Sequence, residues 1–589
     1  MAKLRKLSVL VVKAFIGILP LSFRTYLKKN PKLTALYSRS LQQAGLFYGF
    51  PSRKALDALY AKNVVAQNNI IAQSKFNPQA KLSLLVCVFK VGQLELNQLL
   101  TSISLQVNSF QQLLFWCKSE DLKRCSELVE QFDLTSSINI TDDLAEFVSD
   151  ADNIAKQNWF VVHQNDRLHP ELVTVFMSSR KPDIDLVYVD SDVINDKGKR
   201  TTPSFYPDWN PDLQLSTGYI SSGIWLKHLD MLLAGRALAF KAEGIAEWMI
   251  SNYLNGKYQS IEHMALVLLH RSVDVTSNKS ALTASVSKLV IGRSQIRSNR
   301  VHSVLSMQWD LPTQPLVSII IPTKNGFELV RSCIESILSK TLYLDYEILL
   351  IDNNSDELQS LNYFNELALH PKIRVLKYPH PFNYSAINNF AVKHARGEVI
   401  ALVNNDIEVI SPEWLTYMVG HVMRPDIGCV GAKLLYADDR VQHAGVVMGY
   451  GGGAGHAHKY FPRYHPGYLN RLAATGNFSA VTAACLLVKK SDYLAVGGLN
   501  EKDLTIAFND VDFCLKVLEL GRRNLYCAEA ELYHHESVSR GFEDTLEKQQ
   551  RFQAELNYLK TNWAAYIAHD PAYNPNLTLR RENFSVRED

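Results

Sequence analysis

Residues 398–414 read "EVIALVNNDIEVISPEW" and set two amides and a carboxylate, Asn404, Asn405 and Asp406, directly after an apolar run. Two other apolar runs also end in polar residues, at Pro322-Thr323-Lys324-Asn325 and at Asp352-Asn353-Asn354-Ser355. Further on, "AFNDVDFCLK" groups Asn509, Asp510 and Asp512, and "LYHHESVSRG" groups His534, His535, Ser537, Ser539 and Arg540. Side chains of these types can hold a polar ligand and accept a proton from it. Asn509, Asp510 and Asp512 would equally cap and charge the N-terminus of a helix. Thiol and zinc chemistry is not indicated, because no pair among the eight cysteines has CxxC spacing.

These groups need elements that bring distant strand ends together. From residue 315 the chain alternates strands ("PLVSIIIP", "YEILLID", "IRVLKYP", "EVIALV") with amphipathic helices ("ELVRSCIESILSK", "SAINNFAVKHA"). The alternation predicts a doubly wound, mostly parallel sheet with helices on both faces. Such sheets bind ligands beyond the carboxyl ends of their strands, so the three polar ends share one rim and face one crevice. An earlier copy starts at "KLSLLVCVFK", where Ser83 precedes Ser318 by 235 residues. In "FVVHQNDRLHPEL", Asp166 precedes Asp406 by 240. Repetition at this length means a duplicated domain. "GYGGGAGHAH" at 449–458 has a glycine pattern like a dinucleotide fingerprint, but "KYFPRYHPGY" follows it with two prolines and no helical period. That excludes an oxidoreductase and suits a flexible loop over the acceptor side of a site.

The 589 residues, 47% of them apolar and 21% charged, suit a folded protein of several domains. Residues 1–56 hold eleven Lys or Arg and no acid, which leaves the remainder at 51 basic against 59 acidic residues. The body therefore lacks the positive excess that nucleic-acid binding needs, and no nucleic-acid partner is expected. The basic segment contains "LSVLVVKAFIGILPLSF", interrupted by Lys13 and Pro20. It is short for a spanning helix and suits a helix lying on an anionic membrane surface, or one packed on the protein body. Scattered cysteines fit a reducing cytoplasm, and the expected location is the inner face of a bacterial cytoplasmic membrane.

The stretches "VSIIIPTKNG", "YEILLIDNNS", "PFNYSAINNFAVKHARGEVIALVNNDIEV", "VTAACLLVKK", "VGGLNE", "AFNDVDFCLK", "ELYHHESVSRG" and "DPAYNPNLT" follow one another over about 315–578. In that order they resemble a family 2 glycosyltransferase of the GT-A fold, of the group that builds bacterial surface polysaccharides. The first half resembles the same family more faintly. The resemblance implies that Asp406 holds a divalent cation, magnesium or manganese, with His534 in reach of the metal or diphosphate. It implies that Asp352 bonds the ring N–H of a pyrimidine, with Pro322 and Thr323 lining the base pocket. Asn389, Asn404, Asn405 and Arg540 would touch the nucleotide sugar, and Asn383 would either approach the ribose or cap its helix. Asp510 would be the base of an inverting displacement. His443 and His456 would be acceptor-side or structural. In the first copy, Trp116-Cys117-Lys118 stands in place of the base-binding acid, and Ile245 falls at the expected base, with Glu247 two residues later.

The fold class expected is thus α/β, with two tandem GT-A-like (Rossmann-like) domains, the first degenerate, plus a basic N-terminal helical segment. The divisions are 1–79 basic segment, 80–270 degenerate domain, 271–314 connector, 315–542 catalytic domain and 543–589 C-terminal helix and tail. The expected activity is sugar transfer, with rhamnose as one candidate, from a dTDP- or UDP-linked donor to a lipid-linked oligosaccharide acceptor. A bifunctional transferase and a non-catalytic glycan-binding scaffold are the alternatives.

Overall fold

The computed structural model describes residues 11, 53–91, 94–150, 156–178, 183–234, 237–257, 260–271, 279–298, 304–535 and 545–587. The apolar runs of the second half form strands Val317–Thr323, Tyr346–Asp352 and Val399–Val403, buried almost throughout. Successive side chains on these strands enter two cores. Ile319, Ile321, Ile348 and Leu350 pack with residues of helices Phe327–Lys340 and Trp414–Val422, whereas Ile320, Leu349, Ile351 and Leu402 pack with those of Tyr384–His394 and Asn509–Glu519. Coverage on both faces is what lets a strand be apolar without alternation.

Across this sheet the strand order is Ile373–Lys377, Tyr346–Asp352, Val317–Thr323, Val399–Val403, Cys485–Lys489, Ile427–Leu435, Arg523–His534 and Ile407–Val409. The first four are parallel. Cys485–Lys489 is antiparallel to both neighbours, Ile427–Leu435 and Arg523–His534 are parallel, and Ile407–Val409 closes the edge antiparallel. The first sheet reads Ser137–Thr141, Gln112–Trp116, Leu82–Cys87, Asn158–His163, Ile224–Leu226, Leu186–Ile194, Ile261–Arg271 and Asp166–Leu168. Its pairings have the same sense at every step. The tandem α/β architecture is present, strand for strand.

Three features lie outside a simple two-bead arrangement. Residues 271–314, expected as a connector without strong periodicity, include helix Lys279–Leu289 and a hairpin of Ser294–Ser298 with Leu305–Trp309. Leu282, Val286, Val290, Leu305 and Met307 from this part make a small core with Leu215, Ala246 and Ile250 of the first domain. Helix Arg53–Ile71 packs on the first domain, with Tyr60 Oη donating to Asp192 at 2.5 Å and Val267 N donating to Gln67 Oε1 at 2.8 Å. The apolar stretch at 7–23 lies outside the described residues except Val11. Among the described residues no helix is long and apolar enough to cross a membrane.

The two domains are joined by a buried charge network. Asp212 of the first domain accepts from Arg424 Nη1 at 2.5 Å and from Asn477 Nδ2 at 2.9 Å, and lies 3.5 Å from Arg523. Tyr253 Oη accepts from Arg424 and Arg523 and donates to Asp426 at 2.9 Å. Burial pushes the Asp212 carboxyl up, but the two guanidinium groups overcome it and hold it well below the usual carboxylate range. Its contribution to stability is therefore complete above that usual range and is lost as pH falls toward the depressed value. Asp212→Ala should leave the buried Arg424 with only Tyr253 and the more distant Asp426 and cost about 3 kcal/mol, measured by chemical denaturation of the full chain at neutral pH.

Candidate active site

The rim of the second sheet is built from strand ends locked to one another. Thr323 and Asp352 are register partners, and Asn353 N donates to Thr323 O at 2.8 Å. Thr323 Oγ1 accepts from Asn405 Nδ2 at 3.0 Å, so two expected ligand-contacting residues already meet. Asp352 is buried and accepts from Ser355 N at 2.9 Å, while Pro322 is half-buried. Asn325, at φ +53°, accepts from Asp356 N and Glu357 N and pins the loop between strand and helix.

Asp406 and His534 come together because the edge strand pairs Ile407 with His534. His534 Nε2 lies 3.1 Å from Asp406 Oδ1 and 3.3 Å from Asn404 Nδ2. Its other ring nitrogen lies 2.5 Å from Oε1 of the buried Gln442. His535 points the other way, 3.2 Å from Glu408, as alternation along an extended segment requires. Gln442 stands in "VQHAGVVMG", a stretch that shares in the family resemblance, but its type alone marks no function. A separate group, His421, Cys527 and Glu529 with ligand atoms within 4.8 Å of one another, lies elsewhere, beside the interdomain network through Arg424.

Asp510 sits in the first turn of helix Asn509–Glu519, after Phe508. It accepts from Ala483 N at 3.1 Å and from Val511 N at 2.9 Å. Burial raises its pKa, and these hydrogen bonds with that of Thr482 offset the rise only in part. Asp510 and Asn404 line one cleft of about 390 Å³, together with Tyr384, Thr482 and His456. His456 Nδ1 is 2.9 Å from His443 Nδ1. Burial, with a further push from the nearby Lys459 charge, lowers His456 to about 3, so it faces Asp510's cleft as a neutral ring.

Two of the expected residues serve the domain itself, and for Asn383 this is the helix-cap alternative. Asn389 Nδ2 donates to Leu499 O and Glu501 Oε1, both at 2.8 Å, and its Oδ1 accepts from Tyr493 Oη at 2.5 Å and Leu499 N at 3.0 Å. Its amide is spent inside the domain as a brace for the 493–501 loop. Gly498 makes room for it at φ +74°, since a Cβ there would stand 2.4 Å from Asn389 Oδ1. Asn383 caps its helix, accepting from Ala386 N at 3.0 Å. Arg540, with Ser537 and Ser539, lies outside the described residues.

The same positions in the first sheet are filled. Rings of Phe89, Trp116 and Phe240 cluster at the strand ends, with centroids 4.9 Å and 5.1 Å apart. Asp166 accepts from His163 N at 2.9 Å and from Ser222 Oγ, and lies 3.8 Å from Arg271 at the strand end that matches His534. Ile245 is buried, and Glu247 is buried in an ion pair with Lys241.

Fold and site define an α/β protein whose ligand crevice lies on the carboxyl rim of its second sheet. Residues 318–493 match the family model "Glycosyl transferase family 2", and the chain carries a glycosyl transferase family 2 domain. Over 445 residues it is 41% identical to "Uncharacterized protein y4gI" of Sinorhizobium fredii, covering 72% of this chain and 49% of that protein. Over 441 residues it is 32% identical to "O-antigen biosynthesis protein RfbC" of Myxococcus xanthus, covering 71% of this chain and 33% of that protein. The chain thus spans about half of one relative and a third of the other. Among solved structures, the mannosyltransferase PcManGT from Pyrobaculum calidifontis in complex with GDP-Man and Mn2+ matches at 15% identity and a TM-score of 0.31, over 44% of this chain and 73% of that one.

The two kinds of buried polar residue should separate in a stability measurement. Asn389→Ala should cost about 1–3 kcal/mol by leaving its partners unsatisfied. Asp510 has a raised folded pKa, so stability is lost as pH rises from the ordinary carboxylate value to the raised one. Asp510→Asn, which cannot ionise, should therefore gain on wild type in melting temperature as pH rises from 4 to 8.

Proposed function

We propose that this chain is an inverting glycosyltransferase. It moves a sugar, with rhamnose the leading candidate, from a dTDP- or UDP-linked donor to a growing lipid-linked surface polysaccharide. The observation that carries the reading is that Asn404 and Asp510 line one cleft, with Asp406 and His534 beside it and Thr323 and Asp352 on the same rim. Sugar transfer makes two demands: charge on the leaving diphosphate must be neutralised, and the attacking hydroxyl must lose its proton.

A divalent cation would supply the first, and the donor set fits one. With Nδ1 bonded to Gln442 Oε1, His534 turns its Nε2 lone pair toward the carboxylate 3.1 Å away. Asp406, His534 and the Asn404 amide would hold the ion together with the diphosphate. An imidazole among oxygen ligands favours Mn2+ over Mg2+. Asp352 and Thr323 would take the pyrimidine, with Pro322 against its face and Asn405 holding Thr323. Asp510 would accept the proton while the acceptor oxygen bonds to the anomeric carbon and the bond to the diphosphate breaks. Its raised pKa brings it nearer working pH than an ordinary carboxylate.

The first domain, with aromatic rings at its strand ends and Glu247 paired to Lys241, serves to position its partner and its acceptor. That filling disfavours a bifunctional enzyme. The basic segment at 1–56 would hold the protein on the cytoplasmic face of a membrane, and the 32% identity to a protein named for O-antigen biosynthesis supports the polysaccharide class.

Nucleotide release from a panel of nucleotide sugars, dTDP-rhamnose included, should reveal one donor turned over with Mn2+ and membrane glycolipid. Asp510→Asn should lower the rate by about 10²–10⁴, and Asp406→Ala should abolish the metal-stimulated part of the rate. The acid limb of the wild-type rate should fall above the ordinary Asp range, because the base must be deprotonated. Undiminished turnover in both variants would place the chemistry elsewhere.

A further inference from the structure

A second cleft, of about 380 Å³, adjoins the one that holds Asp510. The two share a wall made by Ala454, Gly455, Phe508 and Phe552. The far side of the second cleft is closed by the glycine loop and by Arg580 and Arg581 of the C-terminal segment. A Cβ on Gly453 would stand 2.7 Å from Leu556 Cδ1, so the loop lies close against helix Leu546–Asn562 at this glycine.

The aromatic part of this wall is unusual in two ways. Phe508 sits at φ +58°, a left-handed conformation that a bulky residue adopts at a cost, and such strain gathers at functional sites. The strain sets the Phe508 ring at the junction of the clefts, two residues before Asp510. Its ring lies 5.4 Å from that of Phe552, tilted by 43°. Phe552 keeps 38% of its surface exposed, a large apolar face open to the cleft.

We infer that the second cleft is the subsite for the acceptor, and that a pyranose ring of the acceptor glycan lies on the Phe508–Phe552 wall. This rests on the transferase reading above and adds to it the site and class of the second substrate. A pyranose presents one face of C–H bonds, which an aromatic surface can cover, and an edge of hydroxyls, which Arg580, Arg581 and Glu582 of the same cleft can meet. The direction is set by the strand ends. The nucleotide belongs toward Thr323 and Asp352, and neither lines the second cleft, so what enters past Phe552 reaches Asp510 by a separate route and can give it a hydroxyl proton.

The test is saturation-transfer NMR on the full chain with Mg2+ and dTDP or UDP present, using methyl pyranosides of hexoses and 6-deoxyhexoses as probes. At least one pyranoside should bind. Phe552→Ala should weaken it by about tenfold or more, the loss expected for one aromatic contact, and Phe552→Trp should restore it. Nucleotide affinity by calorimetry should stay unchanged in both variants, which shows that the fold and the donor site survive. Equal pyranoside binding by wild type and Phe552→Ala overturns the assignment, as does a wild type that takes nucleotide and no pyranoside. A wild type that takes no nucleotide overturns the transferase reading instead.

Discussion

A strand covered on both faces has no place for a charge, so the polar groups such a chain needs must wait until the strand passes its last buried residue. That constraint brings Thr323, Asp352 and Asn404 together from three places in the sequence, each just past or at the end of an apolar run. It also explains why Asp406 and His534 meet. Ile407–Val409 is an edge strand, and its antiparallel pairing delivers the end of Arg523–His534 to the same rim. The helix that carries Asp510 closes the far side, its side chain held by an amide from the 481–484 segment.

The duplication shows what the constraint does and does not demand. Both sheets share one strand order and one set of senses, so the topology tolerates either filling of the rim. In the second sheet the strand ends are amides and carboxylates facing a cleft. In the first they are Trp116 and its aromatic neighbours, and the one retained carboxylate, Asp166, answers to backbone and Ser222. The cores below remain apolar in both. A sheet held together by its interior can lose its crevice without losing its shape.

Much of this was readable from residue types. Apolar runs with polar ends announced the strands and the rim, and a helix period announced Phe327–Lys340 and Tyr384–His394. The repeat was visible in the near-constant spacing of Ser83 to Ser318 and Asp166 to Asp406. Individual polar side chains were harder. Asn389 looks like a ligand group in sequence, yet whether an amide serves a ligand or a loop depends on Gly498 and Tyr493, over a hundred residues away. Gln442 behind His534 and the Phe508–Phe552 wall were hidden for the same reason: nothing in their types or spacing marks them. The interdomain network was hidden too, because Asp212, Arg424 and Arg523 acquire meaning only when two domains dock.

Residues 570–576 bind both halves at once. Asn574 donates to Asp190 and to Tyr206 O, both at 2.9 Å, while Asp570 accepts from Ser479 Oγ at 2.5 Å and Met448 N at 2.6 Å. They are also translated after both sheets. A nascent chain that has already emerged through His534 possesses every strand of the two domains and still lacks the strap between them and one side of the second cleft. Synthesis order therefore sets a sequence: the finished crevice exists only once this segment has been threaded into place.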